Sequence, residues 1–325
     1  MAKFIHPASK IAQIESQYLT KQLKPFLESS SALNFLEICS SNGIYTNSCI
    51  GTTFSDLYKY KKCDINFYRC NMPNFDYAEM ISALRNDRSS FLYFPYVKTY
   101  FTTMAKNFQV VPHEVLHLAY IFMILSGISK PLPADDHIFG SLTHDETIYD
   151  KRKKLAHLDL IRMVEPRYYE LRKDGLLVFT LEGMFDRAGY NIWDLFNETL
   201  IEAANKNIIF ASEIKSMEIR THFRTIDEIY SSFKEVGDFL TIEEIDTYTI
   251  QGPFAKGDRD IEKFVEEALG FWGILPAMNN VLKLFRHPSE KARVLGEIMN
   301  IFEDKLRAKT PESAAKYHLV VLKKK

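Results

Sequence analysis

The four cysteines, at 39, 49, 63 and 70, lack Cys-x-x-Cys spacing, and four in 325 residues make no disulfide framework. Reduced thiols in a cytosolic protein are the expectation. The chain also lacks an excess of either charge. Lys plus Arg number 41 and Asp plus Glu 42, for a net charge of −1. That balance gives no support for a nucleic-acid or anionic-membrane partner. The run Lys323-Lys324-Lys325 reads as a solvated tail. No apolar block of a signal peptide lies within Met1 to Gln13. The longest apolar stretch, Val115 to Leu125, contains His117 and is too short to span a bilayer. No internal repeat or low-complexity block is visible. These absences leave a globular, cytoplasmic protein as the expectation. The 46% hydrophobic content can fill one large domain with an inserted cap.

The most informative stretch is Asn34-Phe35-Leu36-Glu37-Ile38-Cys39-Ser40-Ser41-Asn42-Gly43. A short apolar run ends in an acid, then a tight turn of small residues. Open α/β sheets present a ligand crevice in this way, at the carboxyl end of the first strand. Gly43 supplies backbone freedom where a side chain would obstruct. A second strand with the same design follows at Ile65–Pro73, at the spacing of one βαβ unit.

Further along, the patterning predicts helices over 10–27, 45–60, 76–84, 148–173 and 192–205. It predicts strands at 35–39, 65–70, 90–94, 176–181, 245–250 and 317–322, and reads 115–125 as a central strand or a buried helix, which periodicity alone does not decide. Lys173-Asp174-Gly175 reads as a turn, and 127–147 as an irregular loop. Thr225-Ile226-Asp227-Glu228 is a capping box opening a helix that ends near Gly237. Residues 259–308 read as mostly helical. Strands alternating with helices, followed by two late strands, fit a Rossmann-like α/β sheet with helices on both faces. Cap segments at roughly 127–157, 185–222 and 253–308 would be inserted in a single domain spanning 1–325.

One sharp motif competes. His113-Glu114-Val115-Leu116-His117 fits His-Glu-x-x-His, which on a helix places two imidazoles on one zinc ion. A third ligand would come from Asp135, His137, His144 or Glu146. If the segment is a strand, the two histidines stand too far apart to share a metal. The strand formers that follow, through Leu125, favour that reading, so a zinc peptidase is an alternative and no metal is expected. No Ser–His–Asp arrangement can be argued.

Taken together, these segments resemble the SABATH family of S-adenosylmethionine-dependent carboxyl methyltransferases. Glu37 to Gly43 is similar to that family's Asp-Leu-Gly-Cys-Ser-Ser-Gly. Asn71-Met72-Pro73 with Asp76-Tyr77 is similar to its Asp-Leu-Pro with a following Asp-Phe. Val115 to Ser126 resembles the strand ending in Ser-Leu-x-Trp-Leu-Ser, and Asp174 to Leu181 its Gly-Gly-Arg-Met-Val-Leu-Thr. Ile192-Trp193 matches an Ile-Trp pair on a cap helix, and Arg224 to Glu243 its Pro-Ser-x-Glu-Glu-Val and Glu-Gly-Ser-Phe. The likeness runs along most of the chain in the right order.

The resemblance implies an enzyme that methylates a small molecule, in the family's pattern a carboxylic acid, with S-adenosylmethionine as donor, working as a homodimer. No catalytic residue is required, because a carboxylate is already ionised near neutral pH and positioning supplies most of the effect. On the donor side the resemblance places Lys10, Glu37, Cys39, Ser41, Gly43, Asn71, Met72 and Ala119. On the acceptor side it places Gln13, Tyr120, Met123, Ile124, Ile192 and Trp193. Two positions depart from the family. Its ribose-binding acid falls on Asn71, which loses a charge-assisted pair. Its carboxylate-binding Trp falls on Ile124, which donates no hydrogen bond. The acceptor atom, oxygen or nitrogen, is therefore open, and a non-catalytic binding protein on the same fold is a further alternative.

Overall fold

The computed structural model describes residues 7–38, 46–71, 75–104, 109–122, 127–184, 190–251, 278, 282, 286–309 and 314–325. Helix α1 (Pro7–Ser29) leads into β1 (Ala32–Ile38). A π-turn (Asn47–Gly51) opens α2 (Thr52–Tyr60), and β2 (Asp64–Asn71) and α3 (Tyr77–Arg85) follow. Next come β3 (Val97–Thr103), β4 (Leu116–Phe122), α4 (Glu146–Glu170) and β5 (Leu171–Glu182). Then come α5 (Ile192–Asn205), α6 (Ala211–Ser216), α7 (Ile226–Lys234) and β6 (Leu240–Gln251). Helix α8 (Pro288–Ala308) and β7 (Ala314–Lys324) end the chain.

The strands form one seven-stranded sheet in the order β3-β2-β1-β4-β5-β7-β6. The pairs from β3 to β5 are parallel, and β7 runs antiparallel between β5 and β6. The order reverses between β1 and β4. A sheet of this kind opens its crevice there, at the carboxyl ends of the strands.

Period-two alternation sorts the strand residues onto two faces. Phe35, Phe67, Leu118, Tyr120 and Val178 face α1, α2 and α3 in one core. Leu36, Ala119, Ile121, Leu177 and Phe179 face α4 and α7 in another. A third core packs α5 against α8, together with Ile138, Phe139, Leu142 and Phe223. That core is built from the segments read as cap in the sequence.

Local chemistry sets the element ends. Asp76 and Asp145 accept from backbone N–H groups at the starts of α3 and α4. The Thr225–Glu228 capping box forms, and Asn191–Asp194 makes a second one at α5. The strand expected at 90–94 is corrected. Ser90 accepts from Leu92 N–H and starts a 3-10 turn at Phe91–Tyr93, and the strand follows at β3. The expected turn at Lys173–Gly175 lies inside β5 as a bulge. Asp174 takes φ 63° there, and the ladder with β4 shifts register.

The third core is tied to α4 by Arg152, fully buried. It donates to Glu218 at 2.6 Å, to Ile219 O at 3.1 Å, to Thr221 O at 2.8 Å and to Leu132 O. Gly140 lies so close that a Cβ would sit against the guanidinium. Gly140→Ala is expected to cost ~1–3 kcal/mol in chemical denaturation, since overpacking displaces this arginine. An unchanged midpoint would show the guanidinium free to move.

Candidate functional site

Glu37 and Arg69 occupy the same rung of the parallel β1–β2 ladder, which sets their side chains beside each other on the α1 face. Arg69 Nε donates to Glu37 Oε2 at 2.7 Å, with both side chains almost wholly buried. Thr46 Oγ1 donates to Glu37 Oε1 at 2.5 Å, and Arg69 Nη2 donates to Thr46 Oγ1 at 3.1 Å. Glu37 precedes the turn expected to meet a ligand, and Thr46 follows it. The network therefore joins Glu37 of β1 to Thr46, which lie on either side of residues 39–45. Both carboxylate oxygens of Glu37 engage the protein's own groups.

Asn71 ends β2 on the same face, two residues beyond Arg69. It is buried, and its Nδ2 has no hydrogen-bond partner among the described residues. A buried amide without a partner costs free energy that a ligand oxygen would recover. Cys39, Ser41, Gly43 and Met72 lie outside the described residues, as does the side chain of Lys10. Ala119 is corrected. It points to the opposite face and is fully buried beneath α4 and α7, so its side chain lines no crevice.

On the acceptor side, Tyr120 stands on the α1 face of β4 and its hydroxyl donates to Glu15 Oε2. Thr180 of β5 donates to Glu15 Oε1, and Cys49 Sγ lies 3.8 Å from Oε2. Burial, reinforced by Glu15, pushes the Cys49 thiol well above its ordinary range. Glu15 was not among the expected residues. Its signal was in the sequence, since Ile11, Glu15 and Leu19 fall at helical spacing on one apolar stripe. Gln13, by contrast, is exposed on α1. Ile192 and Trp193 are buried in the third core, with Trp193 packed on Phe139 at 4.8 Å between ring centroids. Met123 and Ile124 lie outside the described residues. The structure thus gathers Glu37, Asn71 and Tyr120 on one face of adjoining strands and leaves Gln13 and Ala119 out of that group.

The strand reading favoured for the His-Glu-x-x-His segment agrees with the structure. His113 and Glu114 form a turn and His117 sits in β4, so no helix presents the two imidazoles together. Glu114 takes φ 58° and pairs with Lys324 at 3.2 Å. Asn34 N–H donates to His117 Nδ1 at 3.0 Å, and at Nε2 stand Arg172 Nη1 at 2.9 Å and Ser30 Oγ at 3.2 Å. Burial first, then the Arg172 guanidinium, lower its pKa to about 4. No helix among the described residues is long and apolar enough to cross a membrane.

No protein-family model and no curated protein sequence matches the chain. Solved structures do. The chain is similar to "Loganic acid methyltransferase with SAH", with a TM-score of 0.74 and 17% identity over 98% of this chain and 94% of that one. A geranyl diphosphate methyltransferase in complex with SAM gives a TM-score of 0.41 at 9% identity, over 96% of this chain and 85% of that one. The fold is therefore the Rossmann-like α/β fold of methyltransferases, as the sequence pattern led us to expect.

Proposed function

We propose that this chain is a methyltransferase that moves a methyl group from S-adenosylmethionine to a small molecule. The observation that carries this reading is the buried Nδ2 of Asn71, without a partner among the described residues, at the carboxyl end of β2 beside the reversal point of the sheet. A ribose hydroxyl offers the acceptor oxygen that this amide lacks. Asn71 would thus hold the nucleoside, and Cys39, Ser41, Gly43 and Met72 would meet the rest of the donor. The bound donor supplies an electrophilic methyl on a sulfonium. This chain's own residues would bind it, hold it in line with the acceptor and exclude water, next to the Glu37–Arg69–Thr46 network.

The resemblance extends the reading to a carboxylic acid as acceptor. Gln13 would have to fix that carboxylate, and it is exposed; Trp193 is packed in the third core. The broader reading, a small-molecule methyltransferase, is the one this chain's residues support.

Calorimetry with S-adenosylmethionine and S-adenosylhomocysteine tests it. Stoichiometric binding of both is expected, and no heat from either at millimolar concentration would remove the proposal. Asn71→Asp is expected to tighten S-adenosylhomocysteine by about tenfold, since a carboxylate makes charge-assisted bonds to both ribose hydroxyls. Unchanged affinity would move the nucleoside away from β2.

A further inference from the structure

A cavity of about 500 Å³ opens between α4 and α7, on the opposite side of the sheet from Glu37 and Asn71. Its volume is that of a small-molecule site. Buried His222 and Arg224 lie at its base, and exposed Lys153, Lys154 and Leu158 at its mouth. Glu228 Oε2 stands 3.0 Å from His222 Nε2. Burial would raise the Glu228 carboxyl, but the bond from His222 outweighs it and holds the group below its ordinary range. An ionised carboxylate only accepts, so Nε2 carries the ring proton. Burial lowers the pKa of His222 in spite of that partner, which keeps the ring neutral at pH 7 and leaves a lone pair on Nδ1. Nδ1 has no hydrogen-bond partner among the described residues, although His222 is 1% exposed. A ligand hydroxyl would recover the free energy that this buried acceptor costs.

The charges around the cavity favour an anion. Lys154 makes no ion pair among the described residues, and Lys153 lies 3.5 Å from Glu228 Oε1. The Glu228 carboxylate is occupied, since it also accepts from Tyr149 Oη at 3.3 Å and from Thr225 N–H at 3.2 Å. Asp150 is the other acid on the cavity, and it is exposed to water. His157 is held by Ser232 Oγ at 2.9 Å and Glu235 at 3.1 Å. A group that suits both His222 and the lysines must donate one hydrogen bond and carry negative charge. A carboxylate has no donor, and a carboxylic acid has no charge. A singly ionised phosphate monoester has both, and its second pKa is about 6. We propose that this cavity is a second ligand site, which binds a phosphate monoester with its P–OH donating to His222 Nδ1 and its charged oxygens meeting Lys153 and Lys154. Leu158 would meet the organic part. The site lies apart from the donor crevice and does not depend on methyl transfer.

Calorimetry of the full chain at pH 6 with phenyl phosphate, phenyl sulfate and inorganic phosphate tests it. The singly ionised esters match in shape and charge, and only the phosphate keeps a hydroxyl. Phenyl phosphate is expected to bind about fivefold tighter than phenyl sulfate, the worth of one hydrogen bond, and tighter than inorganic phosphate. Lys154→Gln, at the surface, is expected to weaken both esters severalfold with an unchanged melting temperature. His222→Phe is expected to erase the preference for phosphate. Should that variant fail to fold, nitrogen NMR of the wild-type imidazoles replaces it: phenyl phosphate is expected to shift the His222 Nδ1 resonance, and phenyl sulfate to leave it in place. Equal affinity for the two esters, binding of neither, or affinity unchanged in Lys154→Gln would overturn the proposal. Inorganic phosphate as tight as phenyl phosphate would make the free ion the ligand and overturn the monoester. Competition of phenyl phosphate with S-adenosylhomocysteine would place the anion in the donor crevice and overturn the second site.

Discussion

Arg69→Met is expected to destabilise the protein by ~3–5 kcal/mol, the usual cost of leaving one partner of a buried ion pair alone. The cause is specific to this sheet. Glu37 would keep Thr46 but lose the guanidinium 2.7 Å away, in a site almost closed to water. The double variant Glu37→Gln, Arg69→Met removes both charges and is expected to recover much of the loss. Denaturant unfolding of the two singles and the double measures the coupling directly. Additive losses would show that the two groups act independently. The network also brackets the turn between Glu37 and Thr46, so it carries a functional readout. Thr46→Val keeps the ion pair and removes one hydroxyl, at a cost of about 1 kcal/mol in stability. It is expected to weaken S-adenosylhomocysteine binding severalfold. Loss of stability with unchanged affinity would reduce the network to a support of the sheet.

The second large effect is pH dependence through His117. Its folded pKa of about 4 lies below the ordinary value of 6.5, so the unfolded chain binds more protons between those two values. The neutral ring contributes stability that is complete above pH 6.5 and is lost as pH falls towards 4. Integrated over that window, linkage gives ~3 kcal/mol. His222 and His318 are also lowered, chiefly by burial, and act with the same sign. The isolating measurement compares wild type with His117→Asn in urea at pH 7 and pH 4. The stability gap between them is expected to narrow by ~3 kcal/mol on acidification. A gap independent of pH would mean that the ring is protonated in the folded protein, contrary to its bond from Asn34 N–H.

Much of this architecture is legible because buried parallel strands read as apolar runs. The cores of β1, β2, β4, β5 and β7 fall where such runs lie, and α5 has the bounds that its period gives. Strand β3 escaped the reading because it lies at the sheet edge. Val97-Lys98-Thr99-Tyr100-Phe101-Thr102-Thr103 keeps much of its length in contact with water and shows no apolar run. The aromatic segment before it drew the strand assignment and proved to be a turn capped by Ser90.

The site divides along the same line. Glu37 and Asn71 stand out in the sequence because one comes next to the end of a strand and the other ends one. The partner of Glu37 is not, because Arg69 lies 32 residues away and only the register of β1 on β2 sets them side by side. Glu15 depends likewise on contacts distant in sequence. A charge on the apolar stripe of α1 was the one local sign of it. The motif at 113–117 is outweighed in the sequence itself by the strand formers that follow it. Its spacing suits a helix, and the residues around it make a turn and a strand.

The central claim is that the carboxyl ends of β1 and β2 hold a nucleoside. A crystal structure of the protein grown with S-adenosylhomocysteine tests it most directly. The account expects the ribose hydroxyls within hydrogen-bond distance of Asn71 Nδ2, above the Glu37–Arg69 pair. A crevice filled by the chain's own side chains, or the nucleoside bound elsewhere, would contradict it.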